Sequence, residues 1–103
     1  MNLPEMFQEW EKQRDRVVFI KGALSEASLY EQLAEECVEL AHACQKKARK
    51  LRGENPTPMG MDEIDENVVE EYTDVRLVAH LLNIDADSSM YWEKSERWCE
   101  RLS

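Results

Sequence analysis

The sequence predicts an all-α fold of four helices in a single domain covering residues 1–103, and three observations carry that expectation. Glycine and proline occur only three times each, so little interrupts long runs of Leu, Glu, Lys, Arg, Ala and Met, the residues with the strongest helical preference. Apolar residues recur at spacings of three, four and seven, the repeat that lines one side of a helix. No stretch shows the in-out alternation of a half-buried strand.

The first helix is expected from about Pro4 to Ile20, ending before Gly22, with Phe7, Trp10, Val17 and Val18 as inward positions. Ser28-Leu29-Tyr30-Glu31 has the S-x-x-E form of a capping box, in which the serine oxygen and the glutamate side chain satisfy free amides at a helix start. A second helix should run from there to about Arg52. Gly53 suits its C-terminal cap, and Lys46, Lys47, Arg49, Lys50 and Arg52 complement the negative end of its dipole. Glu54 to Gly60 reads as a loop from its proline and glycine content. The third helix spans about Asp62 to Leu82. The fourth runs from Ser88 or Ser89 to Leu102, beyond a connection at Asn83–Asp87. No internal repeat or low-complexity tract occurs. Short connections between four helices imply a bundle, or a helical hairpin core completed by its neighbours.

Composition narrows the function. Lys and Arg total 13 against 22 Asp and Glu, a net charge of −9, which disfavours a nonspecific grip on nucleic acid polymers or an anionic membrane. An acidic protein that handles a phosphate substrate needs a cation. Met1-Asn2-Leu3-Pro4-Glu5 lacks the basic and apolar regions of a secretory signal, and no apolar run reaches membrane-spanning length, so a cytoplasmic location is expected. Cys37, Cys44 and Cys99 lack CxxC spacing and are odd in number; they are expected to be small buried apolar residues rather than a disulfide framework. Asn55-Pro56-Thr57 is not a glycosylation acceptor, because proline occupies its middle position.

The informative residues are acids placed where a core should be. On the third helix Ile64, Val68, Tyr72, Val75, Ala79 and Leu82 define an apolar stripe centred near Val75. At about 100° per residue, Glu71 lies about 40° from that centre, Asp74 about 100° away at the border and Glu70 about 140° away, facing solvent. On the second helix Leu29, Leu33, Cys37, Leu40, Cys44 and Leu51 form the stripe. Relative to Leu33, Glu36 lies about 60° off, Glu39 about 120° and Glu35 about 160°. Glu36 with Glu39, and Glu71 with Asp74, are i,i+3 pairs projecting from one side of each helix. In an antiparallel hairpin the four carboxylates converge. Like charges so placed raise one another's proton affinity or hold a cation, for which Mg²⁺ is the natural hard, oxygen-seeking choice.

At these residues the sequence resembles the MazG-like superfamily of all-α nucleoside triphosphate pyrophosphohydrolases, whose signature is EExxE followed by ExxD. It stands here as Glu35-Glu36-Cys37-Val38-Glu39 and Glu71-Tyr72-Thr73-Asp74. The gap between the halves is longer than is common, and the inserted Arg52–Pro58 segment looks like the loop of short bacterial and prophage members. Lys94-Ser95-Glu96-Arg97-Trp98 looks like the family's K-x-x-R-W ending, so the resemblance covers roughly Leu29 to the C-terminus. It implies a bundle-like MazG-type fold completed by oligomerisation, with Glu36, Glu39, Glu71 and Asp74 as Mg²⁺ ligands and Mn²⁺ as a possible substitute. Glu35 is then a catalytic group that orients water or an additional ligand, and Lys94 and Arg97 bind substrate phosphates. The implied reaction takes an NTP or dNTP to the monophosphate and pyrophosphate, by attack of a metal-activated water on the α-phosphorus.

Two rivals stand beside it. Glu39-Leu40-Ala41-His42 is formally the E-x-x-H of di-iron bundles, but the other histidine, His80, has Leu77 three positions before it, and both histidines fall on the solvent side of their wheels. The other rival is a non-catalytic helical protein-interaction module, with Trp92 and Trp98 as anchors. Tyr30, Ala34, Val38, Ala41 and Ala48 widen the apolar surface of the second helix beyond one packing face, so a homodimer or homotetramer is expected.

Overall fold

The computed structural model describes residues 1–54 and 58–103. It contains four helices: α1 Leu3–Ala23, α2 Glu26–Arg52, α3 Met61–Leu81 and α4 Ser88–Leu102, with no strand among the described residues. Asn55, Pro56 and Thr57, the middle of the expected loop and the site of the excluded glycosylation motif, lie outside the described residues.

Local chemistry explains each boundary. Asn2 caps α1 in a reciprocal box: its Oδ1 accepts the Glu5 amide at 2.9 Å, and Glu5 Oε2 accepts the Asn2 amide at 3.2 Å. The helix runs through Gly22 to Ala23, beyond the expected end, because the chain turns only at Leu24 and Ser25. Ser25, not Ser28, is the cap of α2; its Oγ accepts the Ser28 amide at 3.1 Å. The expected Ser28 box is therefore corrected: the cap lies three residues earlier, at Ser25, which satisfies the Ser28 amide, and Ser28 becomes part of the first turn. Gly53 ends α2 with φ 71°, a left-handed conformation in which the Glu54 amide reaches the Arg49 carbonyl at 3.0 Å. Asn83, at φ 58°, plays the same part after α3, where the Ile84 amide donates to the Ala79 carbonyl at 2.9 Å. Asp87 starts α4, accepting the Ser89 hydroxyl at 2.6 Å and the Met90 amide at 2.9 Å. These two donors, the Ser89 hydroxyl foremost, hold its carboxyl below the usual aspartate range.

Packing is concentrated in an antiparallel α2–α3 hairpin. Its buried apolar residues are Leu29 and Ala43 from α2 and Ile64, Val78 and Leu81 from α3. At the end near the interhelical loop, Lys47 pairs with Asp65 and lies 2.9 Å from the Met61 sulfur. At the other end Leu29 and Leu81 line one small cavity. The link from α1 is light, with Lys21 Nζ donating to Asn83 Oδ1 at 3.4 Å.

Two expectations about burial are corrected. Phe7, Trp10 and Val18 are more than half exposed and Val17 is half-buried, because α1 buries no residue against the hairpin. Cys37, Cys44 and Cys99 are free thiols on the surface, not core residues. The physical reason is that α2 has two apolar sides. The side turned to α3 carries Leu29, Leu33, Glu36, Leu40, Ala43 and Lys47, whereas Cys37, Cys44 and Leu51 belong to a second side roughly a quarter turn away. On α3 the buried side is likewise turned from Val75 towards Glu71, leaving Tyr72 half exposed.

The radius of gyration is 18.0 Å, against about 13 Å for a compact domain of this length. Every residue of α4 is exposed, with Tyr91, Trp92 and Trp98 each at least 62% accessible. A single chain thus leaves much of its apolar surface in water. Among the described residues no helix is long and apolar enough to cross a membrane.

Candidate metal centre

The hairpin brings Glu36, Glu39, Glu71 and Asp74 together, with one carboxylate oxygen of each within 4.8 Å of the others. The placement follows from helical spacing. Leu29, Glu36 and Ala43 lie seven apart on α2, as do Ile64, Glu71 and Val78 on α3, so each helix repeats the same face every two turns. In both helices the middle position of an otherwise apolar triplet is glutamate. Antiparallel packing sets Glu36 and Glu71 in one layer, between Leu29, Val78 and Leu81 on one side and Ala43 and Ile64 on the other. Glu39 and Asp74, three residues further along each helix, extend the layer to the hairpin edge; Glu39 is exposed and Asp74 half-buried.

Electrostatics mark the cluster as incomplete. Glu36 Oε1 accepts the Gln32 side-chain amide at 2.8 Å. The other oxygen, Oε2, is buried without a hydrogen-bond partner among the described residues, and so is Glu71 Oε2. Buried acceptors are almost always paired, and a lone one costs about 1–3 kcal/mol. The negative charge of Glu36, followed by that of Glu71, raises the proton affinity of Glu39 above the usual glutamate range. Among the described residues no Lys, Arg or His forms an ion pair with any of the four carboxylates.

A divalent cation fits this donor set. It would offer the two orphaned oxygens a partner, and it would offset like charges that otherwise repel at close range. Four carboxylates without sulfur or nitrogen favour a hard ion such as Mg²⁺ or Mn²⁺ over zinc or copper.

The remaining expected site residues lie elsewhere. Glu35 is exposed and outside the cluster, lining a shallow groove with Ala34, Val38 and Glu39. Lys94 and Arg97 are exposed on α4 and make no hydrogen bond or ion pair among the described residues. His42 and His80 are exposed, as expected, and neither joins the carboxylates. Gln32 is the one residue at the cluster that sequence reasoning passed over. Its position four residues before Glu36, a spacing at which glutamine and acidic side chains meet on a helix, is a readable signal.

Compared with protein-family models, with curated proteins and with solved structures, the chain matches none.

Proposed function

We propose that the protein is a Mg²⁺-dependent nucleoside triphosphate pyrophosphohydrolase of the MazG-like type, releasing pyrophosphate from an NTP or dNTP. One observation carries the reading: four carboxylates from two helices share a space 4.8 Å across, and two of their oxygens are buried and unpaired. A layer built for stability alone would hold apolar side chains there, or an acid with a basic partner.

Glu36, Glu71 and Asp74 would hold the ion from the partly buried side of the layer, and Glu39 from its exposed edge. Gln32 fixes the Glu36 carboxylate in place through the bond to Oε1, leaving Oε2 for the ion. When bound, Mg²⁺ supplies charge neutralisation for phosphate oxygens and makes water a competent nucleophile at neutral pH. Leu29, Val78 and Leu81 on one side and Ala43 and Ile64 on the other bound the layer with apolar walls, which strengthens electrostatic interactions inside it. Glu35, at the rim beside Glu39, is assigned to orienting the attacking water. Lys94 and Arg97, both without an ion-pair partner among the described residues, are assigned to the substrate phosphates. The chain has no P-loop, so phosphate recognition rests on metal and side chains. We place the enzyme in the cytoplasm as a homodimer or homotetramer, since α1 and α4 bury nothing in the single chain.

The test is release of pyrophosphate and monophosphate from each common NTP and dNTP with Mg²⁺, using a Glu36→Gln, Glu71→Gln double variant as control. Turnover in the wild type and loss in the variant supports the reading. Equal release by both, or none from any nucleotide, overturns it.

The exposed aromatics of α4 favour a second reading, a helical interaction module without catalysis. Titration with Mn²⁺ separates the two, because such a module has no use for a carboxylate-bound ion.

A further inference from the structure

The second apolar side of α2 is left uncovered in the single chain, and its pattern identifies an occupant. It begins at Tyr30 and ends at Leu51, stepping alternately by four and three residues, the spacing of a coiled-coil seam. All its positions are exposed except the half-buried Ala48. The order of side chains reads nearly the same from either end. Tyr30 and Leu51 are the large terminal residues, Ala34 and Ala48 follow inwards, then Cys37 and Cys44, with Ala41 at the centre. Small residues along the middle let two helix backbones approach closely, and the bulky ends close the seam.

We infer that this side of α2 packs against α2 of a second copy, antiparallel, across a two-fold axis at Ala41. Such an axis requires a surface complementary to itself, which the near-palindromic order provides. Charge provides an independent argument. Of the charges on one flank of the seam, the acid Glu31 lies near the start of α2 and the bases Arg49 and Arg52 lie near its end. Antiparallel pairing sets this acidic end of the flank against the basic end of the other copy, whereas parallel pairing sets like against like. Glu31 and Arg52 stand on the same flank of the seam, beside Tyr30 and Leu51, so each meets the other across the interface. The seam lies about a quarter turn from the face that carries Glu36 and farther still from Glu39. Association on it therefore leaves the carboxylate cluster open.

The inference rests on the self-association proposed above and not on the metal reading. It is tested on the full chain without metal, by sedimentation equilibrium over a range of protein concentration, with helix content followed by circular dichroism. Ala41→Glu should place two carboxylates on the axis and weaken assembly by about a hundredfold. Glu31→Arg alone, and Arg52→Glu alone, should each weaken it by about tenfold, and the combined exchange should restore it. The restoring double variant protects the test against a loss of assembly that reflects mere misfolding. A wild type that stays monomeric at roughly 100 µM, where a complex of micromolar affinity is nearly all assembled, overturns both this interface and the self-association. An assembly indifferent to Ala41→Glu, or weakened by the charge variants without rescue, overturns this interface alone.

Discussion

Replacing Glu71 with glutamine removes one charge from the centre of the carboxylate layer while keeping its volume and one of its oxygens. Two unit charges at 4.8 Å, the outer limit of spacing in the cluster, repel by about 3.5 kcal/mol at an effective dielectric constant near 20 and by about 0.9 kcal/mol in bulk water. The layer is half-buried on one side and open at Glu39, so the relief for the metal-free protein should fall between these limits, at about 1–2 kcal/mol. For a chain of this length that corresponds to a melting temperature higher by roughly 5–15 °C. Mg²⁺ should act in the opposite sense. At a concentration ten times its dissociation constant the ion stabilises the wild type by about 1.4 kcal/mol. A ligand loss that weakens binding about a hundredfold leaves the variant with less than about 0.1 kcal/mol. Thermal melts of both proteins, with and without Mg²⁺ at one protein concentration, read all four quantities, and pyrophosphate release should fall with the metal response. If Glu71→Gln lowers the metal-free stability, or responds to Mg²⁺ as strongly as the wild type, the reasoning fails for this residue and the enzyme loses its strongest support.

Other expectations follow from the same geometry. Folded Glu39 holds its proton more tightly than the unfolded chain does, so the metal-free protein should lose stability as pH rises from the ordinary glutamate range through its raised value; urea titrations at stepped pH check this, and saturating Mg²⁺ should flatten the slope. Asp87 behaves in reverse, since its carboxyl is lowered by the Ser89 hydroxyl and the Met90 amide. Its contribution is present above the ordinary aspartate range and lost as pH falls through the lowered value, and Asp87→Ala should fray the first turn of α4 at neutral pH, visible in amide exchange at Met90. Lys94→Ala and Arg97→Ala should each reduce kcat/KM by about 10- to 100-fold with helix content and assembly unchanged; unchanged kinetics in both would return them to ordinary surface charge.

The helices were legible because their signals are local. Local signals place the fourth helix from Ser88 or Ser89 to Leu102, against the observed Ser88–Leu102, and Gly53 marks the end of α2 without reference to any neighbour. The anomaly at Glu71 was also legible, since a wheel places it inside the stripe, and the structure sets it nearer the centre than the wheel did. Which side of α2 faces α3 was not legible, because the helix has two apolar sides and the sequence does not say which one the hairpin uses. That ambiguity put Cys37 and Cys44 in an expected core and set Glu36 at its margin, whereas Glu36 occupies the middle. Phe7 and Trp10 misled for a related reason: apolar spacing shows that α1 has a side to bury, not which chain covers it. For Lys94 and Arg97 the sequence supplies charge and the resemblance supplies a role, and neither fixes a distance.

The carboxylate layer also divides the hairpin into two apolar blocks that need not form together. Ala43 and Ile64 close a short stretch of chain around the interhelical turn, whereas Leu29 and Leu81 enclose more than twice as much. The entropy of ring closure favours the turn-proximal block by about 0.8 kcal/mol. Folding should therefore zip from the hairpin end at Gly53 and Gly60 towards Ser25, and halt where Glu36 meets Glu71 until charge is neutralised. Substitutions in Ile64 should slow folding, whereas those in Leu81 should mainly hasten unfolding. The same four acids would then set the tempo at which the hairpin closes, with protons or a divalent ion as the release.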